Sequence, residues 1–199
     1  RVLRRVIDET DPDVDELLVL GHLLREHGEV EQALHLHHGV LGRPGLTPDL
    51  RRLVELQLVD DLLASDQNER AEARLADLDE HYEDAEILDR RAMALVRLRR
   101  YADAIDVLRR RAAVDRRDAA GLAHAADGLA EVARELLHGG NVESALRTAR
   151  LAIEIDPTRA AGHTVLGDAL ASTAQLDEAV STWIAGLRQA PGGGEMLLG

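Results

Sequence analysis

Five alanines, Ala33, Ala71, Ala104, Ala145 and Ala179, stand at equivalent places in apolar stretches whose hydrophobic residues recur every three or four positions. The intervals between them are 38, 33, 41 and 34 residues. A period of that length constrains the chain more than its composition does. One such supersecondary unit cannot bury its apolar face alone, so the copies must stack on one another. The clearest copy is "HTVLGDALASTAQLDEAVSTWIAGLRQAP", His163 to Pro191. Its apolar residues fall in two blocks, Val165 to Ala174 and Ala179 to Leu187, with a polar hinge at Gln175 to Glu178 between them. That spacing predicts a helical hairpin.

Within this copy His163, Leu166, Gly167, Leu170, Ala179, Trp183 and Pro191 match the tetratricopeptide pattern. Gly167 and Ala179 are small where the two helices of the hairpin approach, and Trp183 is the wedge that fills the remaining gap. Gly186 is read as the place where the next helix fits, and Pro191 ends the second helix because it lacks an N–H. Ala145 and Pro157 repeat the spacing of Ala179 and Pro191.

The expected fold is all-α: a right-handed tetratricopeptide superhelix of about five full repeats plus a partial N-terminal one. The array covers 13–193, with repeats near 14–50, 51–84, 85–118, 119–158 and 160–193. Residues 1–12 are read as the second helix of a truncated repeat, and 194–199 as a C-terminal tail. Two long intervals have local causes. "GRPGLTPDL", Gly42 to Leu50, is a Pro- and Gly-bearing loop, and Asp118 to His138 carries an unbroken helical pattern that predicts a lengthened first helix. Val59 takes the place of the usual small residue in one repeat, which predicts looser packing there.

Composition agrees with close helix packing, since Phe and Cys are absent and aromatics make up 2% of the chain. All 24 positive charges are Arg, and 37 acids leave a net charge of −13, the opposite of the balance a nucleic-acid binder needs. Without cysteine the chain has no disulfide, thiolate metal site or Cys nucleophile. No uncharged apolar run approaches the roughly 18 residues of a membrane span. GxSxG, HExxH, P-loop and contextual GxGxxG motifs are lacking, and no His stands at helical spacing to activate Ser65, Ser144, Ser172 or Ser181. Gly192 to Gly194 follow a helix-ending Pro and read as a linker.

His35, His37 and His38 pose the metal question most directly. His37 stands in repeat register where Trp183 stands in the last repeat, so it is expected to pack between helices. His35 and His38 lie three apart and share a helix face, but a metal site needs a third ligand at about 2 Å, with only His22 or His27 nearby. The three are therefore read as packing or solvated imidazoles, ahead of metal ligands.

Charge is the better functional clue. Leu53 to Asp89 holds 13 acids and two Arg, whereas Arg90 to Arg117 holds ten Arg and three acids. Either stacked repeats neutralise each other through exposed ion pairs worth little individually, or the basic band steers an acidic protein surface, with phosphate contacts a lesser option. A tetratricopeptide array lines its groove with first helices. The register puts Leu18, His22 and Arg25 there, then Leu56, Asp60 and Leu63, then Glu86, Asp89, Met93 and Arg97, then Arg134 and His138, then Thr164 and Asp168. The leucines read equally well as packing, and the polar positions with Met93 are the candidate partner-binding residues.

"LGHLLREHGEVEQALHLHHGVLGRPGLTPDLRRLVELQLVDDLLASDQNERAE", Leu20 to Glu72, carries an "LG.L.R..GEV..A...H" signature, a proline-bearing loop and a following "RAE" in one order. In these it resembles the LapB (YciM) family of lipopolysaccharide assembly proteins. The resemblance implies a non-enzymatic adaptor on the cytoplasmic side of the inner membrane, tethered by an N-terminal transmembrane helix. It also implies two protein partners: a membrane AAA+ protease, and the lipid A pathway deacetylase whose degradation the adaptor promotes. The family's C-terminal rubredoxin-type knuckle uses paired CxxC motifs, so no cofactor is expected in this chain. The chain opens on Arg1 within an apolar pattern, which reads as a fragment exposing a stacking face at its N-terminal end. The alternative is a generic tetratricopeptide peptide-binding or complex-assembly module unrelated to lipid A.

Overall fold

The computed structural model describes residues 13–82, 84–114 and 117–189; the expected partial helix at 1–12 and the tail at 194–199 lie outside them. Ten helices run through the described residues: α1 (Val14–Glu26), α2 (Val30–Leu41), α3 (Pro48–Ala64), α4 (Asn68–His81), α5 (Ala85–Arg97), α6 (Tyr101–Val114), α7 (Ala119–His138), α8 (Val142–Ile155), α9 (Ala160–Ser172) and α10 (Leu176–Gln189). They pair in sequence as five hairpins. The chain divides into two compact units, Arg1–His81 with α1 to α4 and Tyr82–Gly199 with α5 to α10.

One turn closes all five hairpins. The second residue of each three-residue loop is left-handed: Gly28, Asp66, Arg99, Gly140 and Ala174, with φ of 79, 56, 58, 78 and 61°. These positions repeat at the same intervals as the five alanines. The next residue donates its backbone N–H to a carbonyl five residues earlier, as Glu29 does to Leu24 at 2.8 Å, Gln67 to Leu62 at 2.8 Å and Gln175 to Leu170 at 3.0 Å. This is the Schellman arrangement, which satisfies carbonyls that a helix end would otherwise leave unpaired. Gly28 and Gly140 adopt the conformation without steric cost, whereas Asp66, Arg99 and Ala174 are held in it by the packing of the helices they join.

Inside each hairpin the register pairs a residue of the first helix with one of the second. A methyl group on Gly21 would overlap the ring of His37, and one on Gly167 would overlap the indole of Trp183. The equivalent pairs are Val59 with Leu75, Ala92 with Leu108, and Ala133 with Ala149, all buried. Gly faces a ring in the first and last hairpins, whereas the other three pairs run from Ala with Ala to Val with Leu, and Val59 is fully buried. Trp183 does act as the wedge, but it is only partly buried. Gly186 corrects the sequence reading: an added Cβ would lie 2.8 Å from Cβ of His163 on α9, so its smallness serves its own hairpin and not the next helix.

The lengthened first helix is α7, with 20 residues against 13 in α5 and α9. Its added N-terminal turns cover Arg111 of α6, which is 6% exposed. A Cβ on Gly121 would overlap both the Asp118 carboxylate and the Arg111 guanidinium.

Candidate functional site

In the first unit the first helices α1 and α3 touch, and in the second α5 touches α7 and α7 touches α9. Residues on these helices therefore form a shared face within each unit. Leu18, Leu56 and Leu63 are buried, so those three positions belong to the core. The polar candidates divide by what their side chains touch.

In the first unit Arg25 donates to Asp61 Oδ1 at 2.7 Å and to Gln57 Oε1 at 3.1 Å, and lies 3.1 Å from His22 Nδ1. Asp61 and His37 are both fully buried, and the ring Nδ1–H of His37 donates to Asp61 Oδ2 at 2.5 Å. Arg25, Asp61 and His37 thus join α1, α3 and α2 through one carboxylate. Asp61 was missed in the sequence, where its half-exposed neighbour Asp60 was the candidate. The signal available was the register itself, since Asp61 stands at the position of Ala169, buried in the last repeat. His22 is exposed beside Arg25.

His37 Nε2 has no hydrogen-bond partner and faces Gly21. His35 and His38 instead line an open pocket of about 400 Å³ with Glu31, Leu34, Gln67 and Arg70. Loss of solvent at the pocket wall, followed by the charges of Arg74 and Arg70, lowers the pKa of His38 from its ordinary 6.5. The three histidines are thus split between a core and a surface pocket. Among the described residues no group of three or more His, Cys, Asp or Glu side chains is placed to hold a metal ion.

In the second unit Asp89 accepts from Arg111 Nε at 2.9 Å and lies 3.7 Å from His124 Nε2. Arg111 also reaches Asp118 Oδ2 at 3.4 Å. The pKa of Asp118 is lowered by the backbone N–H of Gly121 first and by Arg111 after it. Sequence reasoning missed Arg111, which stands where the last repeat has Gly186. Asp168 accepts from the Trp183 indole N–H at 3.1 Å, so it positions the wedge. Arg134 pairs with Glu131 one turn away, and the Thr164 hydroxyl donates to the Ala160 carbonyl at 3.0 Å. Glu86, Met93, Arg97 and His138 are exposed.

Three arginines of the basic segment take acids three or four residues away in the chain. Arg100 meets Asp103 at 2.8 Å, Arg109 meets Asp106 at 3.8 Å and Arg90 meets Glu86 at 4.0 Å. Pairs of this kind, solvent-accessible and about one helical turn apart, contribute little to stability.

Helical hairpins with one turn geometry and one interlocking register define a tetratricopeptide-type repeat fold. Solved structures similar to the chain include a crystal structure of MamA protein, at 19% identity and a TM-score of 0.65 over 88% of this chain and 91% of that one. MamA from Desulfovibrio magneticus RS-1 aligns at 16% identity and 0.64, over 88% and 94%. YrrB, described as a TPR protein with an unusual peptide-binding site, aligns at 17% and 0.58, over 96% and 93%. No protein-family model matches the chain, and no curated protein matches it. Among the described residues no helix is long and apolar enough to cross a membrane.

Proposed function

We propose that the chain is a non-enzymatic scaffold that binds protein partners, and that the first-helix face of its second unit receives them. The observation that carries this reading is Met93, 47% exposed on that face and flanked at helical spacing by Asp89 and Arg97. An exposed thioether amid charges gives a partner an adaptable apolar anchor inside an electrostatic frame. Arg97, Arg134 and His138 make this part of the face the more basic, and an acidic protein segment suits it best. The peptide-binding site named for YrrB supports a role of this kind for the fold. His22, Arg25 and Asp60 form the corresponding candidates of the first unit, with Arg25 mainly structural.

In its finer form, the scaffold is the cytoplasmic adaptor that hands the lipid A pathway deacetylase to a membrane AAA+ protease at the inner membrane. The residues from Leu20 to Glu72 support that form. The repeats near 14–50, 51–84, 85–118, 119–158 and 160–193 carry the binding surface, and no metal or organic cofactor takes part within this chain.

Calorimetric titration with the host's lipid A pathway deacetylase, at two salt concentrations, tests both levels. Binding that weakens with salt and is lost in Arg97→Glu/Arg134→Glu supports the adaptor. Binding unchanged by that double reversal at low salt removes the proposed face. Lack of binding to the deacetylase, with capture of a different acidic peptide by the same face, leaves the generic scaffold.

A further inference from the structure

Within the first unit α2 and α4, the second helices of two successive hairpins, both pack on α3. The open pocket of about 400 Å³ lies between them, inside the run of described helices and not at either end of it. Its α2 wall is Glu31, Leu34, His35 and His38, whose spacing of three and four residues puts them on one helix face. Gln67 and Arg70, at the start of α4, form the other wall. Leu34 is buried, whereas His35, His38 and Arg70 are exposed.

The chain carries a net charge of −13, yet two imidazoles and a guanidinium line this pocket against one carboxylate, that of Glu31. Arg70 donates to Gln67 Oε1, a neutral amide oxygen, and retains further N–H donors for a ligand. Arg74, one turn along α4, is paired with Glu55 of α3 at 2.6 Å. His38 registers the resulting field: burial, then Arg74 and Arg70, lower its pKa, Glu55 opposes them and His35 adds to them. Positive groups from two helices therefore converge on one imidazole, with Glu31 and Glu55 as the acids beside them. Such convergence disfavours another cation and favours an anion.

Donor geometry narrows the anion. A guanidinium fork presents N–H groups to two oxygens at once, and each imidazole adds an N–H for another, a set that suits a tetrahedral oxyanion. The volume falls in the range that holds a small organic ligand, and the Glu31 carboxylate is an acceptor for hydroxyl groups on it. We propose that the pocket between α2 and α4 binds a phosphate group, free or carried as a monoester by a small polar molecule, on Arg70, His35 and His38. The site shares no residue with the first-helix face that receives protein partners.

Calorimetric titration of the whole chain with inorganic phosphate and with glycerol phosphate, in a buffer free of other oxyanions, tests this. Arg70→Gln, His35→Gln and Glu31→Gln accompany the wild type; all three positions are exposed, so circular dichroism should show the native fold in each. The expected result is saturable binding of one anion per chain, with Kd on the order of a millimolar. Arg70→Gln should weaken it about tenfold or more and His35→Gln several-fold, through lost charge-assisted hydrogen bonds. Glu31→Gln, which removes a repelling carboxylate, should tighten it several-fold. Tighter binding of glycerol phosphate than of inorganic phosphate identifies the ester as the ligand, and the reverse order identifies the free ion. Proton NMR supplies a second readout: the ring signal of His38, assigned by its loss in His38→Gln, should titrate at higher pH in saturating sulfate, a stand-in that stays a dianion throughout. Absence of saturable binding overturns the proposal. So does binding that Arg70→Gln leaves unchanged or Glu31→Gln fails to tighten, which is an adventitious ion only, or a His38 midpoint that sulfate does not raise.

Discussion

His37 and Asp61 meet through ring Nδ1 and carboxylate Oδ2 at 2.5 Å, with neither side chain exposed to solvent. The pair ties α2 to α3, and Arg25 of α1 closes on the other carboxylate oxygen. Removing the carboxylate strands an imidazole and most of a guanidinium in the core. Breaking a buried pair from one side typically costs about 3–5 kcal/mol. Asp61→Ala should lower the urea midpoint accordingly, and Asp60→Ala, one residue away and half-exposed, should change it by less than about 1 kcal/mol.

Glycines in this chain divide by what faces them. Gly21→Ala and Gly167→Ala force a methyl group into His37 and Trp183, and overpacking of that kind costs about 1–3 kcal/mol. Gly39, within α2, has nothing within 4 Å of an added Cβ. Gly39→Ala should therefore stabilise by about 0.5–1 kcal/mol through helix propensity. Denaturant melts of the three variants check the opposite signs.

Trp183→Ala should cost about 2–4 kcal/mol, toward the low side of a buried Trp truncation because the indole is only partly buried. In a Gly167→Ala background the same truncation should cost less, since the clash it relieves is already present. A double-mutant cycle reads that coupling.

Left-handed turn residues give a third set of signs. Ala174→Gly and Arg99→Gly relieve a conformation that costs an L residue about 1 kcal/mol, and each should raise the melting temperature. Gly28→Ala and Gly140→Ala should lower it. A left-handed strain shared by all five turns predicts that the direction depends only on which residue starts at the site.

His38 supplies the pH dependence. Its folded pKa is lowered, so between that value and the ordinary 6.5 the unfolded chain binds more protons than the folded one. Stability is full above about 6.5 and falls as pH drops toward the folded pKa. Urea melts above and below that range should show the loss, and His38→Gln should flatten its share of the slope.

Repeat length, hairpin pairing and the wedge position were legible in the sequence because they depend on spacing along one helix and on a period that five copies repeat. His37 is an example: its equivalence to Trp183 was enough to place it between α1 and α2. Gly28 and Gly140 likewise announce two of the turns.

Neighbouring helices decided the rest. Asp60 and Asp61 differ by about 100° around α3, and only the approach of α1 and α2 determines which one is sealed from water. Arg111 is long and charged, yet it is buried, because α7 extends over it and Asp89 and Asp118 neutralise it from two other segments. Ala174 is left-handed in the three-residue loop that joins α9 to α10, although nothing in its residue type favours that conformation. Sequence spacing determined which residues share a helix face; the free energy of burying a polar side chain depends on partners from distant segments, and those only the tertiary structure brings together.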